Sequence, residues 1–396
     1  MQNIKTSQII SIGLAIFSMF FGAGNLMYPI LVGIASGKYT FFGMLGFTLT
    51  AVILPVAGLV SMILFDGNYN DFFSRLGVMP GKIAIFISIM ILGPVIGLPR
   101  IATLSHIMIA PFLPIPFLQD SSNILSSFIF ACIFFVVTFI ATCRENKIME
   151  ILGYIISPLL LFSLIIIIVK GIITADYPIA TNATPLSSFI ESGIMGYETL
   201  DLLAGIFFSS IVLQILKNTF GGETSYTKKT IALVSIKAGM IGVSLLALVY
   251  IGMSMIGLFH GHGLGNVNAG QLFSAISFNI LGNHGAAFIA IAVLMACLST
   301  SIALSAIGAE YIQKNLMNNR IHYSSALMIL LFGCLPLSTF GLGKVLALTG
   351  GPIVYVGYPI IIALTFCNIA YKVSNFKAVK IPVIIAFFVA LISYCW

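Results

Sequence analysis

Apolar residues along this chain fall into stretches of about twenty or more, separated by short polar segments, and that spacing suits helices crossing a lipid bilayer. In hydrocarbon each backbone polar group must be satisfied within its own segment, so every stretch is expected to be an α-helix. Eleven qualify, near residues 8–34, 40–65, 82–105, 123–142, 150–174, 194–216, 231–259, 285–312, 322–340, 344–370 and 378–395. The first apolar run, from about Ile9 to Val32, exceeds the roughly 7–15 residues of a signal-peptide core and is expected to stay as a span. The expected fold class is therefore all-α integral membrane, with residues 1–396 forming one polytopic domain. A longer connection from about Asp176 to Ser192, containing Pro178 and Pro185, divides five spans from six. This division suits a five-plus-five inverted repeat, about 8–174 and about 194–370, with an extra helix at about 378–395.

Composition agrees. Of 396 residues 59% are hydrophobic and 7% charged, against roughly one-quarter charged in soluble domains. The net charge of +7 would suit nucleic acid if it formed a stripe, but the basic residues stand singly or in pairs in short loops. Their distribution reports topology instead. With the N-terminus inside, Lys5, Arg75, Lys82, Arg144, Lys147, Lys217, Lys228, Lys229, Lys314, Arg320, Lys372, Lys377 and Lys380 share the inner side, against Lys38, Lys170 and Lys344 outside.

Several chemistries find no support in the residues. The six cysteines are scattered through apolar runs without a CxxC pair or a Cys/His cluster, so neither redox chemistry nor a bound metal cofactor is expected. His260-Gly261-His262 has no third ligand at helical spacing and reads as a solvated outer loop. There is no nucleotide-binding fingerprint and no paired nucleophile and base, so neither direct ATP coupling nor an enzyme is expected. Energy would then come from an ion gradient.

Four spans carry polar or helix-breaking interruptions. In the first, Phe21-Gly22-Ala23-Gly24-Asn25 followed by Pro29 lies at mid-membrane depth. Gly costs a helix interior about 1 kcal/mol and Pro about 3, so the cluster favours local unwinding. Unwound N–H and C=O groups at the midplane can hold a carboxylate or a cation. Close helix packing through Gly22 and Gly24 is the plainer account, but it leaves Asn25 and Pro29 without a purpose. The sixth span has its own interruption between Gly196-Tyr197-Glu198-Thr199 and Gly205, which includes Asp201. Two readings of Asp201 stand side by side: a carboxylate facing a cavity or partner, or an entry-turn residue helped by the helix dipole. The third span combines Pro94 and Pro99, expected to kink it twice, with Arg100. Arg100 either lines a pathway, paired with Asp201 or Glu198, or snorkels to the interface. In the eighth span Ser299, Thr300 and Ser301 offer hydroxyls suited to a hard cation, although such hydroxyls often merely bond a carbonyl one turn earlier.

These motifs together resemble the branched-chain amino acid:cation symporters, bacterial carriers of leucine, isoleucine and valine. The similarity rests on Phe21-Gly22-Ala23-Gly24-Asn25-Leu26 with Pro29, Gly93-Pro94 with Pro99-Arg100, Gly196-Tyr197 with Thr199-Leu200-Asp201, and Ala296-Cys297-Leu298-Ser299-Thr300. The resemblance implies the leucine transporter-like inverted-repeat fold with helices 1 and 6 broken, placed in a bacterial inner membrane. It implies sodium-coupled symport of a small aliphatic amino acid without a cofactor, a proton-coupled carrier being the alternative. By this resemblance Gly22, Ala23, Gly24 and Asn25 would meet the substrate, Ala23 and Gly24 through N–H groups toward its carboxylate. A sixth-span break around Phe207, Phe208 and Ser209 would close over the side chain. Carbonyls of Ser18, Phe21 and Ala296 with hydroxyls of Ser299 and Thr300 would hold sodium, which reverses the plainer reading of the eighth span. Arg100, Tyr197 and Asp201 would serve gating or coupling. The chain departs from the family in having Phe207-Phe208-Ser209-Ser210 where Phe-Gly is common, so a bulkier or differently shaped pocket floor is expected. Many members also have twelve helices, against eleven here, and the oligomeric state is open.

Overall fold

The computed structural model describes residues 6–143, 156–175, 177–219, 228–262, 264, 269–351 and 353–395. Lys5, Arg144 and Lys147 of the inner-side set, and residues 150–155 of the fifth expected span, lie outside them. Among the described residues the chain is helical with no strands, and each of the eleven expected spans has a helical counterpart.

The first span is two helices, α1 (Thr6–Phe20) and α2 (Ala23–Ser36). The second joins α3 (Thr40–Thr48) to α4 (Leu54–Leu64) through one wide turn. A short α5 (Tyr69–Ser74), capped by the Asn68 side chain, leads into the third span, α6 (Val78–Met90) and α7 (Gly97–Ile109). Next come α8 (Ile124–Thr142), whose first amides are capped by Asn123, and α9 (Ser157–Ile173). The sixth span is α10 (Pro185–Tyr197) followed by α11 (Asp201–Thr219), and the seventh is α12 (Lys228–His260). The eighth lies within α13 (Ala269–Tyr311) and the ninth is α14 (Tyr323–Ser338). The tenth is α15 (Leu342–Thr349) with α16 (Tyr358–Ser374), and the last is α17 (Lys380–Cys395).

Three expectations need correction. The sixth span begins at Pro185 rather than near 194, because Thr184 accepts from the Ser187 N–H while Pro185 starts the helix without needing a donor. Its break lies at Glu198 to Leu200, where Leu200 takes φ +67°, and not at Phe207 to Ser209, which sit in unbroken α11. The eighth span starts close to the expected 285, because the preceding helical stretch from Ala269 turns sharply at Gly282, φ +71°, ψ −174°, a conformation that suits glycine. In the third span only the first proline marks a kink. Gly93 and Pro94 fall in the irregular turn before α7, whereas Pro99 occupies the first turn of α7, where a missing N–H costs nothing.

Helix contacts sort the spans into two groups. α1 and α2 pack on α12, α3 on α10, and α4 on α11, tying the first, second, sixth and seventh spans together. The third, fourth, eighth and ninth spans form the other group, with α7, α8 and α14 gathered around α13. Backbones approach closely within the first group: a Cβ on Gly33 would stand 2.0 Å from the Ser254 carbonyl oxygen, and one on Gly257 would stand 2.2 Å from that of Ile30. Outward faces are apolar, with Ile133, Val136, Phe332, Ile384 and Phe388 exposed, as a lipid-facing surface requires. α17 packs on α16 at the edge of the molecule and buries only Val383 and Ala390.

Candidate functional site

The break between α1 and α2 leaves the last carbonyls of α1 and the first amides of α2 without partners in their own helices. Gly22 is extended there, φ −112°, ψ −162°, and its N–H donates to Asn25 Oδ1 at 3.2 Å. Ala23 and Gly24 are the first two residues of α2, so their N–H groups sit at the positive end of its dipole. Unwinding thus follows the Gly-rich sequence, and the expectation of a discontinuous first span holds.

Asn25 reaches across to the second break. Its Nδ2 donates to Asp201 Oδ2 at 2.6 Å and also to the Tyr250 hydroxyl, which itself donates to Asp201 Oδ2 at 3.0 Å. Asp201 is the first residue of α11 and fully enclosed, so the two readings of it merge: it opens a helix, and it does so in the interior. Tyr250, in the middle of α12, was not singled out from sequence; a lone tyrosine hydroxyl deep in an apolar span was the signal that could have found it.

Arg100 stays inside the protein. Nη1 donates to the Glu198 carbonyl at 2.8 Å and Nη2 to that of Thr199 at 3.1 Å, so it braces the second break through backbone oxygens rather than through a carboxylate. The guanidinium also lies against the start of α2, where a Cβ on Gly24 would stand 3.1 Å from Nη2. The kink around Gly93 and Pro94 sets the start of α7 and with it this side chain. Tyr197 and Glu198 lie on the outer side of the break from α11: the Tyr197 ring meets Tyr358 with centroids 5.4 Å apart, and Glu198 Oε1 would stand 3.2 Å from a Cβ on Gly350.

All five expected cation ligands come together. Ser299 Oγ donates to the carbonyls of Ser18 at 2.9 Å and Ala296 at 2.7 Å. Thr300 Oγ1 lies 3.4 Å from the Phe21 carbonyl and 3.3 Å from that of Ala296. Three carbonyls and two hydroxyls from α1, its break and α13 thus form one buried cluster, with no nitrogen or sulfur among them. Such a donor set fits a hard monovalent cation, and among the described residues no group of three His, Cys, Asp or Glu offers a transition-metal alternative.

Between the breaks lies a small cavity of about 30 Å³. Gly22, Ala23, Asn25, Arg100, Asp201 and Thr300 give it a polar side, while Met19, Phe20, Leu92, Phe208 and Leu304 give it an apolar one. Phe208 meets Phe20 edge-on at 5.6 Å. Phe207 turns away to Tyr69 and Phe73, and the Ser209 hydroxyl is spent on the Gly205 carbonyl, so of that trio only Phe208 lines the cavity.

Two facing discontinuous helices within a polytopic bundle define a transporter of the inverted-repeat fold. Solved structures agree on the fold: Mhp1, a nucleobase-cation-symport-1 family transporter, matches with a TM-score of 0.63 at 14% identity over 98% of this chain and 91% of its own. The manganese transporter of Eremococcus coleocola matches at 0.61 and 15% identity, over 100% of this chain and 88% of its own. The chain belongs to the branched-chain amino acid transport protein family, whose model matches residues 5–395. Among its relatives, the branched-chain amino acid permease BraB of Bacillus subtilis is 30% identical over 93% of this chain and 82% of its own length. The permease BrnQ of the same organism is 28% identical over 95% and 84%. Its relatives are permeases and carriers, so the protein is a transporter and not an enzyme.

Proposed function

We propose that the protein is a sodium-coupled symporter of branched-chain or similar small aliphatic amino acids, carrying them into the cytoplasm across a bacterial plasma membrane with its N-terminus inside. The observation that carries this reading is the all-oxygen cluster of Ser18, Phe21, Ala296, Ser299 and Thr300, which spans the contact between the two groups of helices. Sodium there would neutralise the carbonyl-rich end of α1 and tie it to α13. That would steady the start of α2, whose Ala23 and Gly24 amides would receive the substrate carboxylate. By linkage the substrate would raise sodium affinity by the same factor. The apolar side of the cavity, including Phe208, suits an aliphatic side chain. Residues 8–174 and 194–370 would be the two inverted repeats, and the group of first, second, sixth and seventh spans would rock against the group of third, fourth, eighth and ninth around this site.

The test is uptake of labelled leucine into proteoliposomes under an imposed sodium gradient. Uptake driven by inward sodium at constant pH is expected. Uptake that follows a proton gradient and ignores sodium would replace sodium with the proton as coupling ion.

A further inference from the structure

The cavity holds one buried cation and one buried carboxylate that form no direct ion pair with each other. Asp201 and Arg100 are 3% and 5% exposed, both line it, and Arg100 spends its two hydrogen bonds on the carbonyls of Glu198 and Thr199. Arg100 Nε has no partner. The hydrogen bonds from Asn25 and Tyr250 into the Asp201 carboxylate both end on Oδ2. A buried charge is tolerated when it is paired, so each group calls for an opposite charge from whatever enters.

We propose that Asp201 is the receptor for the substrate ammonium group, with Arg100 and the start of α2 providing the positive field for its carboxylate. The inference rests on the amino acid reading above and adds to it the means by which the zwitterion is recognised. A zwitterion is the ligand class that balances both charges at once; a lone anion or a lone cation leaves one of them unpaired. A metal cation suits Asp201 less well than an ammonium does. Its nearest side-chain neighbours, Asn25 Nδ2 and the Tyr250 hydroxyl, point donors at it, and Asn25 Oδ1 is already taken by the Gly22 N–H, so no oxygen cage surrounds it. An R–NH3+ group needs only acceptors, which Oδ1 supplies in charge-assisted form. Glu198 lies within the field of Arg100 but stands by Gly350 and does not line the cavity, so Asp201 is the carboxylate that an entering ammonium meets.

The experiment is displacement of labelled leucine from the purified protein in sodium by two truncated analogues: 4-methylpentanoate, which lacks the ammonium, and 3-methylbutylamine, which lacks the carboxylate. The native protein is expected to bind leucine far more tightly than either. Asp201→Asn keeps the shape and one acceptor oxygen; it should weaken leucine by roughly 100-fold while leaving 4-methylpentanoate unchanged or tighter, so that the preference between them collapses. Asp201→Glu should restore part of that preference. Equal loss of leucine and 4-methylpentanoate in Asp201→Asn would make the residue a brace for Asn25 and overturn the proposal, as would loss of sodium stimulation with the preference intact. Should Asp201→Asn fail to fold, the native protein still decides: 4-methylpentanoate binding as tightly as leucine overturns it. A native protein that binds no leucine in sodium would sink the amino acid reading itself, a result distinct from all of these.

Discussion

Thr300 shows how much can hang on one hydroxyl. Its Oγ1 lies within reach of the Phe21 and Ala296 carbonyls, and both Oγ1 and Cγ2 would stand 3.2 Å from a Cβ on Gly22, so the side chain fits against the first break. Replacing it with valine keeps the volume and removes one oxygen from the cluster. Thr300→Val is expected to raise the sodium concentration for half-maximal leucine uptake by roughly tenfold, the worth of one ligand interaction, with the protein still folded. A sodium titration of uptake checks this, and an unchanged half-saturation point would remove Thr300 from the site.

Among the elements, the pairing of α2 with α12 bears most directly on function, because these helices carry Asn25 and Tyr250 respectively. The pairing depends on glycine. A Cβ at Gly33 would lie 2.0 Å from a backbone oxygen of α12, and backbone does not yield as a side-chain tip does. Gly33→Ala is therefore expected to push the helices apart at a cost of about 1–3 kcal/mol, visible as a lower unfolding midpoint of the solubilised protein. Leucine affinity should fall with it, since Asn25, Tyr250 and Asp201 form one hydrogen-bonded set. A midpoint and affinity equal to those of the native protein would show that the close approach is dispensable.

Across the whole molecule, eleven spans with the N-terminus inside would place the two chain ends on opposite sides of the membrane. Two exposed cysteines test this topology, in which Cys143 at the end of α8 would lie on the inner side and Cys395 at the end of α17 on the outer. A membrane-impermeant maleimide applied to intact cells is expected to label Cys395 and spare Cys143. Labelling of Cys143 alone would invert the topology, and labelling of neither or both would break the span count.

The sequence by itself determined the elements whose cause is local. Hydrocarbon forces long apolar runs into helices, so the eleven spans were legible; Gly22, Gly24 and Asn25 make a helix costly at that depth, so the first break was legible too. The family motifs named five candidate cation ligands residue by residue, and the structure brings all five together. What escaped the sequence depends on neighbours far along the chain. An interruption between Gly196 and Gly205 was legible, but its place at Glu198 to Leu200, rather than at Phe207 to Ser209, was not: Leu200 is held in a left-handed conformation that no glycine announces, and Arg100, about a hundred residues away, donates to the freed carbonyls. Tyr250 is an ordinary aromatic until Asn25 and Asp201 close around its hydroxyl. Local propensity decides where a helix can form or fail, whereas charge balance in a buried cavity is settled only when distant segments meet, and that is why the roles of Arg100 and Asp201 belong to the tertiary structure.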